Sequence, residues 1–396
     1  MISNQDSIIQ VSAPGKIILF GEHAVVLEKT AIASALSLRT TVTFTPNTNN
    51  TLLLDFPDLP GFGIREWSLD EFKKLDHFPN DVDLLKPIEC NELFQKELNK
   101  IIDIKGIHTF LFLFCALTKC NKAYNIKITS DLPIGAGLGS SASFCVSICA
   151  GLLKAFDTYI CGGCKQCVDN GIVIDQQKQQ QQFCDEQLNL INLWSLQGEK
   201  IMHGTPSGID NAVATFGKAL TFTRKNGYKI LDKGIPPLRI LITNTKVSRS
   251  TKTLVEGVIQ RSKLFPTLID PVSNLIDTIS TQCIESFNQY HTDKDNDKLQ
   301  QTMDLMFDMN QHLLSGCYGV GHSSIDTIVS ITKSLGFHTK LTGAGGGGCV
   351  ITLLKQDTTL DQLSSLKSTL SSNGFESWEA TIGDPGVLIN IFPIQK

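Results

Sequence analysis

Hydrophobic segments of two kinds are intermixed along the first half of the chain. Ile8–Ser12 and Thr41–Phe44 alternate apolar and polar residues or are rich in β-branched ones, which predicts strands. Asn91–Ile102 and Ser140–Phe156 have the apolar pattern and length of helices. Because no regular strand–helix–strand repeat is present, the pattern favours an α+β fold over a doubly wound parallel sheet.

The pattern changes near residue 234. Gly234–Pro237 consists of turn-forming residues, and the strongly apolar segment Arg239–Thr243 follows it. We therefore expect two domains, residues 1–234 and residues 235–396. Beyond the boundary the pattern predicts helices and a further strand in a smaller α+β domain, at Ser250–Ser262, Gln300–Leu314, Ile325–Leu335 and Val350–Leu354.

Two polar segments interrupt this organisation. Asn47–Asn50 follows a β-branched segment and predicts a hairpin or surface loop. Gln176–Gln182 is a low-complexity tract with no residue suited to a hydrophobic core, so we interpret it as an inserted loop. We expect neither segment to carry function.

Composition indicates a globular protein without a nucleic-acid partner. The chain has 396 residues, 41% of them hydrophobic, and a net charge of −4. A prior of roughly 150 residues per domain fits two or three domains, and we expect two. A mildly acidic chain without a dense basic run is not typical of a nucleic-acid-binding protein.

We also expect a cytoplasmic protein with no membrane partner. The first residues lack a basic and apolar leader, and the longest apolar run, Phe110–Leu117, is far shorter than the ~20 residues that span a bilayer. The 12 cysteines are expected to be mostly reduced. Cys161, Cys164 and Cys167 have the CxxC spacing of metal sites, but the ligand count falls short, so we favour chance spacing in a loop.

Three glycine-rich segments carry the candidate chemistry. The first, Ala13–Val26, places Lys16 before an apolar strand and Glu22 and His23 after it. A structural strand does not require three ionisable side chains at its ends. On the residues alone, a simple turn at Pro14-Gly15 and a structural histidine are an equal alternative.

The second segment, Asp131–Ser143, joins alternating glycines and a pair of serines to an apolar helix. Glycine lets the backbone approach an anion, and a helix N-terminus supplies unpaired N–H groups and a partial positive charge. The segment is therefore a candidate phosphate-binding loop, although neither GxxxxGK[ST] nor GxGxxG fits it. A tight turn capped by Ser140 is the structural alternative, and it explains so many glycines and serines poorly.

The third segment, Lys340–Val350, contains four consecutive glycines. Its spacing satisfies GxGxxG, but a β-branched strand follows it where a dinucleotide-binding fold would have a helix, so we reject that interpretation. Glycine costs backbone entropy, so a close approach of something must require this run. A ligand phosphate and a facing loop are the alternatives.

Together these segments resemble the three signature motifs of the GHMP kinases, which include galactokinase, homoserine kinase, mevalonate kinase and phosphomevalonate kinase. The resemblance rests on KIILFGEHAVV, PIGAGLGSSAS and KLTGAGGGGC, and on the later stretches GEKIMHGTPSGIDNAVATFG, LITNTKVSRSTKTLVEGV and MNQHLLSGCYGVGHSSID. It covers roughly residues 10–390 and is greatest to the eukaryotic mevalonate kinase branch. The implied fold has a larger N-terminal α+β domain, a smaller ferredoxin-like C-terminal domain, and the active site in the cleft between them.

The resemblance also implies an activity. Members of this branch phosphorylate the primary hydroxyl of (R)-mevalonate with ATP and Mg²⁺, giving 5-phosphomevalonate and ADP for isoprenoid and sterol synthesis. We therefore expect ATP as co-substrate, Mg²⁺ as cofactor and mevalonate as the small-molecule partner. Because relatives are often dimers, a homodimer is a further expectation.

The motifs carry roles over to individual residues. Asp210 matches the catalytic aspartate, and Lys16 matches the lysine that pairs with it. Ser141 and Glu199 match the Mg²⁺ ligands, and Glu22, His23 and Thr243 match residues of the mevalonate pocket. The implied nucleotide-binding residues are Lys16, Ser130, Gly135, Ala136, Gly137, Leu138, Gly139, Ser140 and Ser141.

Elementary chemistry agrees with these roles. Mg²⁺ takes few oxygen ligands from protein when substrate phosphates and water complete its shell, so one hydroxyl and one carboxylate suffice. A lysine at ~4 Å attracts a carboxylate by roughly 4 kcal/mol at an effective dielectric of about 20, which weakens the carboxylate as a base. Phosphoryl transfer usually has a loose transition state, so we expect Asp210 to orient the hydroxyl and accept its proton late.

Two alternatives remain open on the sequence. One is a different kinase of the superfamily, such as phosphomevalonate kinase or galactokinase, against which GEHAVV and HGTPSGIDNAV argue. The other is an inactive relative that only binds nucleotide. Lys16, Ser141, Glu199 and Asp210 are all present, so nothing in the sequence indicates lost activity.

Overall fold

Two β-sheets, one mainly from each half of the chain, organise the fold. The computed structural model describes residues 7–76, 82–133, 135–158, 180–181 and 183–394. The CxxC-like spacing at Cys161, Cys164 and Cys167 lies outside the described residues. Within the glutamine tract, Gln180–Gln181 forms a short edge strand, so this part of the predicted loop is paired.

The first sheet is built on two long strands near the start of the chain. β1 (Ser7–Phe20) and β2 (Ala31–Pro46) run antiparallel, with register shifts at Pro14/Lys16 and Ile18/Phe20. The sheet also contains β3 (Thr51–Phe56), β4 (Gly63–Ser68), β5 (Tyr124–Ser130), β6 (Gln180–Gln181), β7 (Ala219–Thr223), β8 (Gly227–Ile230) and, from the chain's end, β13 (Leu388–Pro393). Its main order is β4-β3-β5-β2-β1-β13-β6, with β7 on β2 and β8 on β7.

Helices cover one face of this sheet. They are α1 (Leu69–Lys73), α2 (Glu92–Ile101), α3 (Lys105–Thr118), α4 (Ser140–Ala155), α5 (Asp185–His203) and α6 (Ile209–Phe216). α3 and α4 are apolar nearly all round because both are buried in the core. A Cβ at Gly151 of α4 would lie 2.1 Å from the Phe44 ring of β2, so glycine allows this close contact.

The second sheet has the order β10-β11-β9-β12 and is antiparallel throughout. Its strands are β9 (Arg239–Asn244), β10 (His338–Leu341), β11 (Cys349–Leu354) and β12 (Glu376–Thr381). The helices of this half are α7 (Thr251–Leu264), α8 (Pro266–Asp293), α9 (Asn296–His312), α10 (Ser323–Ser334) and α11 (Leu360–Ser372). Helices follow the first and third strands, which is the ferredoxin-like arrangement that the resemblance implies.

The predicted strands and helices are present, and α8 is the longest of the described helices that the sequence pattern did not predict. α8 has 28 residues and includes Pro271. Proline inside a helix removes a hydrogen bond, and the surrounding serines, threonines and asparagine are weak helix formers. Tertiary packing decides here, because Ile269, Ile276 and Cys283 of α8 are buried in the second half of the molecule.

The two halves are joined at β1. β13 returns from the end of the chain and pairs with β1 from Ser7 opposite Pro393 to Ser12 opposite Leu388. The later part of β1 supplies Ile17 and Phe20 to a core that contains buried residues of the second sheet. β1 therefore packs with both halves of the chain.

Among the described residues, no single helix is long and apolar enough to cross a bilayer. α2 and α3 pass that length and composition only as a pair, and they are bent by 113° to each other.

The segment before β13 fixes the C-terminal end of α6. Arg39 of β2 donates hydrogen bonds to Asp384 Oδ2 at 2.9 Å and to the Gly386 carbonyl at 2.6 Å. Gly217, which follows α6, has φ +71°, and a Cβ there would lie 1.9 Å from the Gly386 nitrogen. The absence of a side chain at Gly217 therefore allows this segment to dock.

We predict that Gly217→Ala destabilises the protein more than Gly374→Ala. Gly374 has φ +86° but no atom near its Cβ position, so alanine there meets only backbone strain of about 1–2 kcal/mol. At Gly217 the clash adds about 1–3 kcal/mol. Urea unfolding of both variants measures the difference, and equal losses would contradict the described contact.

Candidate active site

Lys16 lies where β1 changes register and meets the glycine-rich loop. Its backbone N–H donates to the Leu138 carbonyl at 2.7 Å. A Cβ at Gly139 would lie 2.8 Å from Lys16 Cγ, so the loop packs directly on this side chain. The strand irregularity and the glycine together place the Lys16 ammonium beside the start of α4.

The loop has the form of an anion-binding site. Gly135, Gly137 and Gly139 have φ values of +74°, +83° and +74°, and Ala136 and Leu138 between them are buried in the core. Gly139 is the residue before α4 and makes no side-chain cap, so no side chain from that position occupies the first N–H groups of the helix. Capping by Ser140, the structural alternative, is therefore not what the loop shows.

Ser143 explains how this helix is held. Its hydroxyl donates to the Ala13 carbonyl at 2.7 Å and accepts from the Thr40 N–H at 3.2 Å. α4 is thereby fixed to β1 and β2. Ser130, at the end of β5, bonds the Thr40 hydroxyl at 3.0 Å and lies below the start of the loop.

Glu199 is a buried carboxylate next to the loop. It lies on α5 with 3% of its surface exposed, and Ser141 is close enough to it to stabilise its negative form. The Cys145 thiol donates weakly to Oε1 at 3.9 Å. Burial raises the pKa of Glu199 to about 7, with a smaller upward contribution from Asp210 and opposing ones from Ser141, Cys145 and Lys16.

Asp210 completes this group. It lies in the first turn of α6, after Gly208 with φ +80°, and its Oδ1 is 3.3 Å from Lys16 Nζ. The Lys16 and Asp210 side chains are 11% and 33% exposed, so the pair is reachable from solvent on the Asp210 side. Lys16, Ser141, Glu199 and Asp210 are thus brought together, as the motifs predict.

Glu22 and His23, near the end of the first glycine-rich segment, lie deeper and contact the third segment. Glu22 is fully buried, forms an ion pair with Lys340, and accepts from Asn310 at 3.1 Å. Burial raises the pKa of Glu22 and Lys340 opposes it, while burial lowers the pKa of Lys340. Burial also lowers the pKa of His23, whose Nε2 donates to the Ala344 carbonyl at 2.7 Å. Its Nδ1 is buried and has no partner in the part of the chain that the structure describes.

Thr243 differs from Lys16 and Asp210 in that it is a fully buried strand residue. It lies within β9, between Val350 and Ser377 of the neighbouring strands, and has no exposed surface. Its hydroxyl is buried and has no hydrogen-bond partner among the described residues.

The third glycine-rich segment packs closely against other parts of the protein. Cβ atoms at Gly345, Gly346 and Gly347 would collide with Val320, Leu254 and Val247 respectively. Facing protein chain therefore accounts for these three glycines, a loop at Val320 and Val247 as expected and the helix α7 at Leu254. Gly343 has no atom near its Cβ position.

Arg249 and Lys340 are residues that the motif reasoning did not assign. Arg249 Nη2 donates to the Ala136 carbonyl at 3.2 Å, and a Cβ at Gly137 or Gly348 would lie 2.3 or 1.4 Å from its guanidinium. It thus links the second and third segments. The sequence signal for both residues was a positive charge inside a stretch that resembles the family. The contacts of Arg249 could not be predicted from it, because they are made to segments more than 90 residues away in the chain.

Metal-binding capacity in the described part of the chain is limited. It contains no cluster of three or more His, Cys, Asp and Glu residues able to hold a metal ion by themselves. Ser141 and Glu199 offer one hydroxyl and one carboxylate, and Glu199 has no ion-pair partner within the described ranges.

We predict that ionisation of Glu199 lowers the free energy of unfolding as the pH rises from 4.5 to 7 in the absence of divalent cations. Because its folded pKa is raised from 4.5 to about 7, the folded state binds more protons than the unfolded state in this window. Glu199→Gln should remove this pH-dependent loss. The free energy of unfolding of the variant should therefore rise relative to that of the wild type by up to about 3 kcal/mol between pH 4.5 and pH 8. Urea unfolding across this range tests it.

Exposed Glu376→Gln is the control for removing a carboxylate elsewhere. A stability difference between wild type and Glu199→Gln that is the same at pH 4.5 and pH 8 would contradict the described burial of Glu199.

Comparison with known proteins identifies the family. The model for the GHMP kinases N terminal domain matches residues 105–163, and the model for the GHMP kinases C terminal matches residues 285–368. A mevalonate kinase of Dictyostelium discoideum is 92% identical over 396 residues, covering 100% of both chains. A mevalonate kinase of Mus musculus is 39% identical over 391 residues, covering 95% of this chain and 94% of its own.

A solved structure shows the same fold. The crystal structure of L. major mevalonate kinase in complex with R-mevalonate superimposes with a TM-score of 0.63 at 20% identity, covering 95% of this chain and 96% of that one. The chain therefore contains the glycine-rich loop, the Lys16–Asp210 pair and the ferredoxin-like second half. Its similarity to the Dictyostelium discoideum protein extends over the full length of both chains. The chain belongs to the mevalonate kinase family of the GHMP kinases.

Proposed function

We propose that this protein is a mevalonate kinase that transfers the γ-phosphoryl group of ATP to the primary hydroxyl of (R)-mevalonate. The observation that carries the proposal is the 3.3 Å pair of Lys16 and Asp210 beside the loop that leads into α4. A carboxylate and an ammonium next to a phosphate-binding loop suit transfer to a hydroxyl. The 92% identity to a mevalonate kinase supports the choice of acceptor.

The nucleotide phosphates would lie against residues 135–141. Gly135 and Gly137 are exposed while Ala136 and Leu138 anchor the loop, so the backbone can face a ligand without losing its support. The N–H groups of the first turn of α4 and the helix dipole attract an anion. Ser130 would contact the nucleotide from the end of β5, and Lys16 would face its phosphates from β1.

Ser141 and Glu199 would hold Mg²⁺. Glu199 is buried without an ion-pair partner within the described ranges, and burial and the nearby Asp210 both oppose its negative form, so a bound cation would stabilise it. The two oxygen ligands match the small protein share of a Mg²⁺ site that nucleotide phosphates complete. When bound, the ion would neutralise charge that develops on the phosphate oxygens.

Asp210 and Lys16 would act on the reacting atoms. The mevalonate hydroxyl oxygen bonds to the γ-phosphorus as the bond to the β,γ-bridging oxygen breaks, and ADP leaves with that electron pair. Asp210 orients the hydroxyl and accepts its proton late. Lys16 stabilises the negative charge on the attacking oxygen or the transferred group, and it holds Asp210 in place.

The acceptor would bind toward Glu22 and His23. His23 is held by its bond to the Ala344 carbonyl and retains an unpaired Nδ1 that could meet a polar group of mevalonate. Glu22 would act through its buried pair with Lys340, which holds the wall of this pocket. Because Thr243 has no exposed surface, we place it beneath the pocket lining.

The larger organisation is part of the same proposal. We propose domains of residues 1–234 and 235–396, with the site between them and with β13 crossing the boundary to join β1. A cytoplasmic location, the absence of a membrane partner and a homodimer stay as expectations from sequence and resemblance.

We predict that Asp210→Asn lowers kcat for mevalonate by about 10²- to 10⁴-fold, because the proton acceptor is lost while the shape is kept. Mevalonate-dependent release of ADP in the presence of Mg²⁺ measures the effect. Exposed Asp232→Asn is the matched control and should leave kcat unchanged. Near-native turnover by Asp210→Asn would contradict the assigned role.

The same assay separates the alternative activities. The wild type should release ADP with mevalonate, and neither phosphomevalonate nor galactose should replace it. Nucleotide binding without turnover of any of the three acceptors would support the inactive relative and overturn the proposed function.

A further inference from the structure

His203 is the last residue of α5 and lies beside the candidate Mg²⁺ ligand Ser141. Its Nε2 is 3.1 Å from Ser141 Oγ. The contact joins residues 62 positions apart and links the end of α5 to the start of α4. No motif in the sequence gave His203 a role, since a histidine near a helix C-terminus is ordinarily structural.

The contact of His203 with Ser141 is significant because of the position of His203 relative to Glu199 on α5. Glu199 and His203 are four residues apart, so their side chains lie on the same face of the helix, one turn from each other. His203 is within hydrogen-bonding distance of the Ser141 hydroxyl, and the Glu199 carboxylate is close enough to Ser141 to be stabilised by it. Ser141 therefore lies against two side chains of one helical turn.

The proposed Mg²⁺-bound state fixes the direction of the His203–Ser141 hydrogen bond. A serine hydroxyl has one proton and two lone pairs, and a carboxylate that holds Mg²⁺ is ionised and can only accept. In that state the Ser141 proton is directed toward Glu199, and Nε2–H of His203 donates to Ser141 Oγ. One lone pair of Ser141 Oγ remains for a cation, and the hydroxyl can no longer rotate freely.

We propose that His203 is a positioning residue that orients the Ser141 hydroxyl for the Mg²⁺–nucleotide complex. This inference rests on the proposed function, since Ser141 is taken as a metal ligand there. Removing a partner that orients a metal ligand typically lowers affinity or activity by about 10- to 100-fold. His203 is exposed, so its replacement perturbs no core packing.

Three variants test the inference by equilibrium binding of a non-hydrolysable ATP analogue. His203→Leu removes the donor, and His203→Gln retains an N–H donor at similar reach. His312→Leu is the matched control, because His312 is also exposed in the last turn of a helix and, among the described residues, its ring bonds within its own helix, at the Asp308 carbonyl. Each is titrated with excess Mg²⁺ and again with EDTA.

With Mg²⁺, the dissociation constant of His203→Leu should rise by about 10- to 100-fold over the wild type. His203→Gln should recover most of this loss, His312→Leu should bind normally, and with EDTA all four proteins should bind alike. Equal affinities of wild type and His203→Leu with Mg²⁺ would overturn the inference, as would the same loss with EDTA. Since this readout needs no acceptor, it stands apart from any failure of mevalonate turnover.

Discussion

The ion pair between Lys16 and Asp210 is the interaction on which the candidate site depends. It joins β1 to the first turn of α6, and the backbone N–H of the same lysine holds Leu138 in the glycine-rich loop. One residue therefore sets the distance between the backbone of the candidate phosphate-binding loop and a carboxylate. The irregular register of β1 at Pro14/Lys16 allows both contacts, since a regular strand would direct its N–H groups only to neighbouring strands.

A second, buried ion pair links the halves of the molecule. Glu22 follows β1 and Lys340 lies in β10, 318 residues later, and neither side chain has exposed surface. A buried pair contributes little net stability when intact, but loss of one partner leaves an uncompensated charge and costs about 3–5 kcal/mol. The pair therefore makes the arrangement of the first and third glycine-rich segments specific. His23, bonded to Ala344, is held by the same arrangement.

Local patterns predict most of this protein's secondary structure and the location of its loop. α4 and β9 follow from apolar runs bounded by glycine or proline, and Gly135 to Gly139 indicate an anion-binding backbone before any fold is known. The motif resemblance predicts that Lys16 pairs with Asp210, and in the structure Lys16 Nζ and Asp210 Oδ1 are 3.3 Å apart.

What the sequence could not supply depends on contacts between distant segments. α8 exists because its buried residues outweigh Pro271, which no local pattern reveals. β13 joins β1 from the far end of the chain, and Arg249 fills space left by Gly137 and Gly348. The contact of His203 with Ser141 likewise appears only once α4 and α5 are packed together.

We propose that Lys16 and Asp210 act as one unit on the transferred phosphoryl group. A double-mutant cycle of kcat with Lys16→Met, Asp210→Asn and the combined variant tests this coupling, because residues that act as a unit are strongly non-additive. The kcat of the combined variant should be within about threefold of that of the slower single variant. If the two losses in kcat multiply instead, Lys16 and Asp210 contribute independently and do not act as a unit.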